Sequence, residues 1–257
     1  MSVRAPAVAG LFYPASADLL RRDVESLLFQ AASAPVATLH ALIVPHAGYV
    51  YSGPVAAKAY ALLRNRRYER VLLLGPSHRV ALRGLALPTV ERFATPLGEV
   101  PLDVDCLQRL SQLPGVERRD DAHALEHSLE VQLPFLQAVL DDFRLVPLVV
   151  GQAPPEQVED VLDEAIDEHT LTVVSTDLSH YHGYVEAKAL DADTVGLIET
   201  CNSGLEGGQA CGAHPLNGFL RYAVRRAWTV RALDVRNSGD TAGDKRRVVG
   251  YASFAVG

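Results

Sequence analysis

Four short runs of this sequence are apolar at almost every position: ALIVP (41–45), RVLLLGP (70–76), RLVPLVVG (144–151) and the start of LTVVSTDLSH (171–180). A strand with one face in water alternates polar and apolar residues, whereas a strand covered on both faces reads as one apolar block. Each block is far shorter than the roughly 20 residues needed to cross a bilayer. Segments with helical spacing lie between the blocks. ASADLLRRDVESLLFQAA (15–32) sets Leu19, Leu20, Val24, Leu27 and Leu28 on a helical repeat. GPVAAKAYALLRN (53–65), PPEQVEDVLDEAIDEH (154–169), VEAKALDADTVGLIETCN (185–202) and HPLNGFLRYAVRRA (214–227) also read as helices. HSLEVQLPFLQAVLDD (127–142) reads as a helix kinked at Pro134.

This alternation predicts a three-layer α/β fold, a central mainly parallel or mixed sheet flanked by helices, as one domain over residues 1–257. The irregular stretch from Leu82 to Val104 and the last two strand-like runs, WTVRALDVRNSG and RVVGYASFAV, are the segments able to make the sheet mixed.

In an open α/β sheet, ligands bind beyond the carboxyl ends of the strands. Here ALIV runs into Pro45-His46, VLLL into Gly75-Pro76-Ser77-His78, and TVVS into Thr176-Asp177 with His180 just after. Three strand ends therefore carry His, His and an Asp/His pair toward one edge. Two imidazoles with one anionic ligand suit a divalent ion with open positions. EHSLEVQLP adds His127 and Glu130, three apart and on one face if helical. ACGAHPLNG places Cys211 and His214 just before a helix, whose N-terminus would lower the thiol pKa, although on the residues alone a buried inert cysteine is the default. Tyr49 and Ser77 flank the two strand-end histidines and are candidates for substrate contact. His40, His169 and His182 read as surface residues or local hydrogen-bond donors.

PHAGYVYSG, LGPSH, EHSLEVQLPFL, STDLSHY and CGAHP, in this order, resemble the motifs of the Memo family, whose fold is like that of class III extradiol dioxygenases. The resemblance implies metal binding by His46, His78 and Cys211, with Cys211 where the dioxygenases place a glutamate. It implies that Asp177 and His180 line the same pocket, His180 as the acid/base. A thiolate is a softer ligand than a carboxylate, so the implied ion is iron or copper, with zinc as an alternative. The resemblance also implies a functional link to radical-SAM and AMMECR-type proteins (the AmmeMemoRadiSam grouping), through a substrate the sequence does not name.

The function expected is a metal-dependent redox enzyme of the dioxygenase-like kind. The alternatives are a peptide- or phosphopeptide-binding adaptor on the same scaffold and, third, a metal-dependent hydrolase. The formal charge of -7 argues against nucleic acid or an anionic membrane as partner. Three widely spaced cysteines make a poor disulfide framework, and no signal-peptide pattern is visible at the start, so a cytoplasmic home is expected.

Overall fold

The computed structural model describes residues 2–31 and 36–257. In chain order the elements are β1 (Val3–Arg4), α1 (Ala17–Gln30), β2 (Ala41–Val44), α2 (Tyr49–Tyr60), β3 (Arg70–Pro76), β4 (Leu85–Leu87), β5 (Arg92–Thr95) and β6 (Gly98–Pro101). There follow α3 (Val104–Leu110), β7 (Val116–Arg118), α4 (Asp120–Ala124), α5 (Leu133–Val139), β8 (Arg144–Val150), α6 (Pro155–Ala165), β9 (Thr170–Ser175) and β10 (His180–His182). The chain ends with α7 (Tyr184–Glu199), α8 (Ala213–Arg225), β11 (Val230–Asn237), α9 (Ser238–Thr241) and β12 (Val248–Val256).

The four apolar blocks are the centre of the larger sheet, in the order β2-β9-β3-β8 and all parallel. Apart from the opening arginines of β3 and β8, every residue in them is buried, as their composition requires. Antiparallel strands are added on both flanks: β12 beside β2, and β4 beside β8. The sheet is therefore mixed, with β11 and β10 both pairing to β12 and β7 to β4. β5 and β6 leave it and form a separate three-stranded sheet with β1. Helices flank the sheet in two groups. One holds α1, α2 and α5, with α2 against β2, β11 and β12; the other holds α3, α6 and α8, with α8 against β3 and β9. No helix of the described residues is long and apolar enough to cross a membrane.

Three helix expectations need correction. The first helix covers Ala17–Gln30 and buries Leu20, Val24 and Leu28, whereas Leu19 is exposed; Ala32, at its expected end, lies outside the described residues. The second starts at Tyr49 rather than Gly53, so Pro54 sits inside it. The carbonyl that Pro54 cannot pair with is that of Val50, whose residue is exposed and open to water. There is no kinked helix across 127–142. A 3₁₀ turn (Glu130–Gln132) precedes α5, and Pro134 falls in the first turn of α5, where no N–H is needed.

His123, on α4, shows what the interior demands of a titratable group. It is 2% exposed; its Nε2 lies 2.9 Å from the Ala86 carbonyl, which can only accept, and its Nδ1 has no partner. Burial pushes it down to about 4. The unfolded chain therefore binds a proton below its ordinary value of 6.5 that the folded chain refuses until about pH 4. Stability falls as pH drops through that window, by on the order of 3 kcal/mol from this residue. A His123→Gln variant is expected to show a shallower loss of stability between pH 6.5 and pH 4 in urea titrations. An unchanged slope would contradict the assignment.

Candidate metal centre at the carboxyl edge of the sheet

Strand register decides what meets at this edge. Val44 pairs with Ser175, and Val174 pairs with Leu74, so β2, β9 and β3 end level with one another. The residues that follow, Pro45-His46, Thr176-Asp177 and Ser77-His78, leave the sheet side by side. Two glycines let the remaining loops close in. A Cβ on Gly75 would stand 2.6 Å from Ser128 Oγ, so only glycine lets the 126–129 loop lie against the end of β3. A Cβ on Gly212 would stand 2.7 Å from the Thr176 Cβ and 2.8 Å from the Ser175 carbonyl. That contact presses Cys211 against the end of β9.

His46 is 2% exposed, and its Nε2 lies 3.2 Å from Cys211 Sγ. The ligand atoms of His46, His78 and Cys211 all fall within 4.8 Å of one another. Asp177 is tied to the same turn, accepting the His46 backbone N–H at 2.8 Å, with its other oxygen 4.0 Å from His46 Nε2. The Asp177 backbone N–H in turn donates to Cys211 Sγ at 3.2 Å. Burial first, then the electrostatic influence of the neighbouring His78, His127 and His180 rings, holds His46 well below its ordinary value. Burial raises Asp177 to about 7 against the opposing hydrogen bond from His46. Burial and the Asp177 carboxylate push the Cys211 thiol up to about 12. The expected activation by a helix N-terminus is thus corrected. Cys211 precedes the Gly212 cap of α8, and loss of hydration outweighs the dipole.

His78 stands on a carboxylate brace. Its Nδ1 is 2.9 Å from Glu126 Oε1 and its backbone N–H donates to Oε2 at 2.6 Å. The Ser128 N–H adds a third bond to Oε1 at 2.9 Å. A carboxylate only accepts, so His78 Nδ1 carries a hydrogen. Burial would raise Glu126, yet the His78 ring and these N–H groups hold it at about 2. His127 stacks on His78 with centroids 4.7 Å apart and reaches within 5.4 Å of the His46 ring. Burial holds His127 down to about 4, against the pull of Glu126, and its Nδ1 makes no hydrogen bond. His78, Glu126 and His127 form a second close cluster. Because Glu126 already accepts three N–H bonds, an ion there would dismantle the brace. His180 follows Asp177 by three residues at the end of the same turn; burial lowers it, and it lies within electrostatic range of His78 and His46.

Of the residues singled out from the sequence, the fold brings together His46, His78, Cys211, Asp177, His180 and His127. It does not bring Glu130, Tyr49, Ser77 or His214 into the cluster. His127 and Glu130 do not share a helical face, because His127 lies in the loop before the 3₁₀ turn. Tyr49 donates to the Val131 carbonyl and packs on Phe135, Ser77 Oγ donates to the Val80 carbonyl, and His214 lies against the Ala153 carbonyl. His40 stacks on Trp228, and His182 pairs with Glu186.

Glu130 is a fully buried anchor for the N-terminal segment. It takes Arg4 Nη1 at 2.7 Å, the backbone N–H groups of Ala7 and Val8, and the Tyr13 hydroxyl. Truncating it takes the counter-charge from a buried guanidinium, which keeps only the His123 and Glu126 carbonyls, and leaves three further donors without an acceptor. A Glu130→Ala variant is therefore expected to lose roughly 3–5 kcal/mol in urea unfolding. A loss below about 1 kcal/mol would show that the anchor is dispensable.

Sequence reading missed three contributors: Glu126, Ser175 and Gln132. Glu126 had a signal, since it is the acid immediately beside His127 in a motif already noted. Ser175 and Gln132 had none, because their roles come from long-range contacts with the His46 ring and the Pro45 and Ser128 carbonyls.

The fold and this edge define an α/β protein with a mixed sheet whose carboxyl edge gathers imidazoles, a thiol and two carboxylates. A family model described as Memo-like protein matches residues 4–255. A MEMO1 family protein of Methanopyrus kandleri is 37% identical over 280 residues, covering 98% of both chains. A MEMO1 family protein of Aquifex aeolicus is 35% identical over 264 residues, again covering 98% of each. The chain belongs to the Memo family. The crystal structure of an uncharacterized Escherichia coli K12 protein shares the fold, with a TM-score of 0.53 at 16% identity over 86% of this chain and 100% of that one.

Proposed function

We propose that this chain is a metal-dependent redox protein of the dioxygenase-like kind that holds one ion between His46, His78 and Cys211. The observation that carries the reading is the approach of His46 Nε2 to Cys211 Sγ at 3.2 Å, with the His78 ligand atom in the same cluster. Bond lengths of about 2.0–2.1 Å to nitrogen and 2.3 Å to sulfur accommodate that separation at an angle of roughly 95°. Ligand atoms spread over as much as 4.8 Å would draw together by about 1 Å to reach tetrahedral spacing around one ion. A thiolate beside two imidazoles suits copper, iron or zinc. Such an ion would supply a Lewis-acid or electron-transfer centre with open positions. The chain's own groups supply proton handling. Asp177, raised to about 7, exchanges a proton near neutral pH, and His180, lowered by burial, takes the acid/base role on this reading.

Metal analysis tests the reading directly. Protein purified without oxygen is expected to carry about one ion per chain. His78 is the cleaner probe, because its side chain is 27% exposed, whereas truncating the buried His46 opens a cavity. His78→Ala and Cys211→Ser should each weaken metal binding by at least about tenfold, since each removes one of three ligands. Ion binding also requires Cys211 to give up its proton, so affinity should rise with pH. Metal-free native protein, with variants indistinguishable from it in metal titrations, would overturn the reading. A pocket that instead binds peptides or phosphopeptides would replace it with the adaptor.

A further inference from the structure

We propose that Ser175 and Gln132 are positioning residues that fix His46 as its Nδ1–H tautomer and so leave the Nε2 lone pair free. The tautomer follows from counting hydrogens. That the free lone pair serves an ion rests on the metal-site reading above.

The count begins at Pro45, whose carbonyl can only accept. The Gln132 atom 2.9 Å from it is therefore the amide nitrogen, and the Tyr60 hydroxyl, 2.9 Å from the amide oxygen, fits that orientation by donating to it. The same amide nitrogen lies 2.9 Å from Ser175 Oγ and donates there too. Ser175 Oγ lies 2.7 Å from the Ser128 carbonyl, another group that can only accept, so the one hydroxyl hydrogen is spent on it. Nothing is left for the third neighbour. His46 Nδ1, at 2.9 Å from Oγ, must be the donor.

Burial makes the count strict. Tyr60, Ser128 and Ser175 are 0% exposed, Gln132 is 1% and His46 is 2%, which leaves no room for water to substitute as donor or acceptor. The opposite tautomer would set the Nδ1 lone pair against an oxygen with no hydrogen to offer. Turning the Ser175 hydroxyl toward His46 would orphan the Ser128 carbonyl. On the far side of the ring, Nε2 faces Cys211 Sγ, where a ligand lone pair is needed. The chain Tyr60, Gln132, Ser175 thus reaches from the core beneath α2 to a single ring nitrogen.

Long-range proton–nitrogen NMR on the metal-free, nitrogen-15-labelled wild type decides the tautomer without any mutation. The expected spectrum has a protonated His46 Nδ1 and a bare Nε2, and a protonated Nε2 overturns the proposal. Ser175→Ala is then expected to mix the tautomers and to weaken zinc(II), measured by competition with a chromophoric chelator, by about 10- to 100-fold. Gln132→Met, which keeps Ser175 but removes its donor, should give a smaller loss in the same assay. Cys211→Ser should weaken zinc(II) while keeping the Nδ1–H signal. A Ser175→Ala protein that melts lower but keeps both the tautomer and wild-type zinc affinity would make Ser175 packing alone, and the proposal fails. If the tautomer shifts as expected while no variant, His78→Ala included, changes zinc affinity, the metal-site reading falls and the tautomer assignment stands.

Discussion

A parallel sheet delivers the ends of all its strands to one edge, and the rest of this structure depends on that constraint. β2, β9 and β3 end in register because their ladders pair Val44 with Ser175 and Val174 with Leu74. Chemistry-bearing residues placed two to four positions past those pairs become neighbours without any further design. What the register does not supply is closeness. Gly75 and Gly212 supply it by removing the Cβ atoms that would hold two loops away from the strand ends. The site is therefore an outcome of topology plus two side chains that are not there.

The edge is buried, and burial alone would strip every charge from it. Two carboxylates in one pocket show how hydrogen bonding decides the outcome. Glu126 accepts three N–H bonds and remains ionised to about 2. Asp177 is also buried but has fewer donors turned toward it, so desolvation wins and it reaches about 7. One acid is thereby a permanent anion bracing His78, and the other is able to trade a proton. Neither property belongs to the residue type.

The strand ends were legible because a block buried on both faces has an unmistakable composition and its last residue is easy to see. His46, His78, Asp177 and His180 followed from that alone. Cys211 was visible as a helix-preceding thiol, but the sign of its perturbation was not. A helix terminus acts locally, whereas loss of hydration depends on the whole fold, and here hydration prevails. Glu130 misled for a related reason. Its spacing from His127 implied a shared face, but Leu125–Ser128 is loop, and the acid turns toward Arg4 and the N-terminal backbone. Pro134 misled by assuming that the helix was already under way. Ser175 and Gln132 are illegible in principle from one sequence, since a serine and a glutamine gain meaning only from the carbonyls that face them.

The balance of charge at this edge explains why its polar interior can exist before anything binds. His46 and His127 are held neutral, Cys211 keeps its proton and only Glu126 is a fixed anion, itself neutralised by donors. A pocket so composed avoids the cost of an isolated buried charge. On the proposed metal-site reading, such a composition would suit a cation, and the thiol's proton would depart as an ion bound. Ring orientation is the remaining requirement. An imidazole free to rotate or to exchange tautomers would lose affinity each time it turned. Here His46 is held from behind by an oxygen with no hydrogen left to give, so its only remaining lone pair points at the thiol.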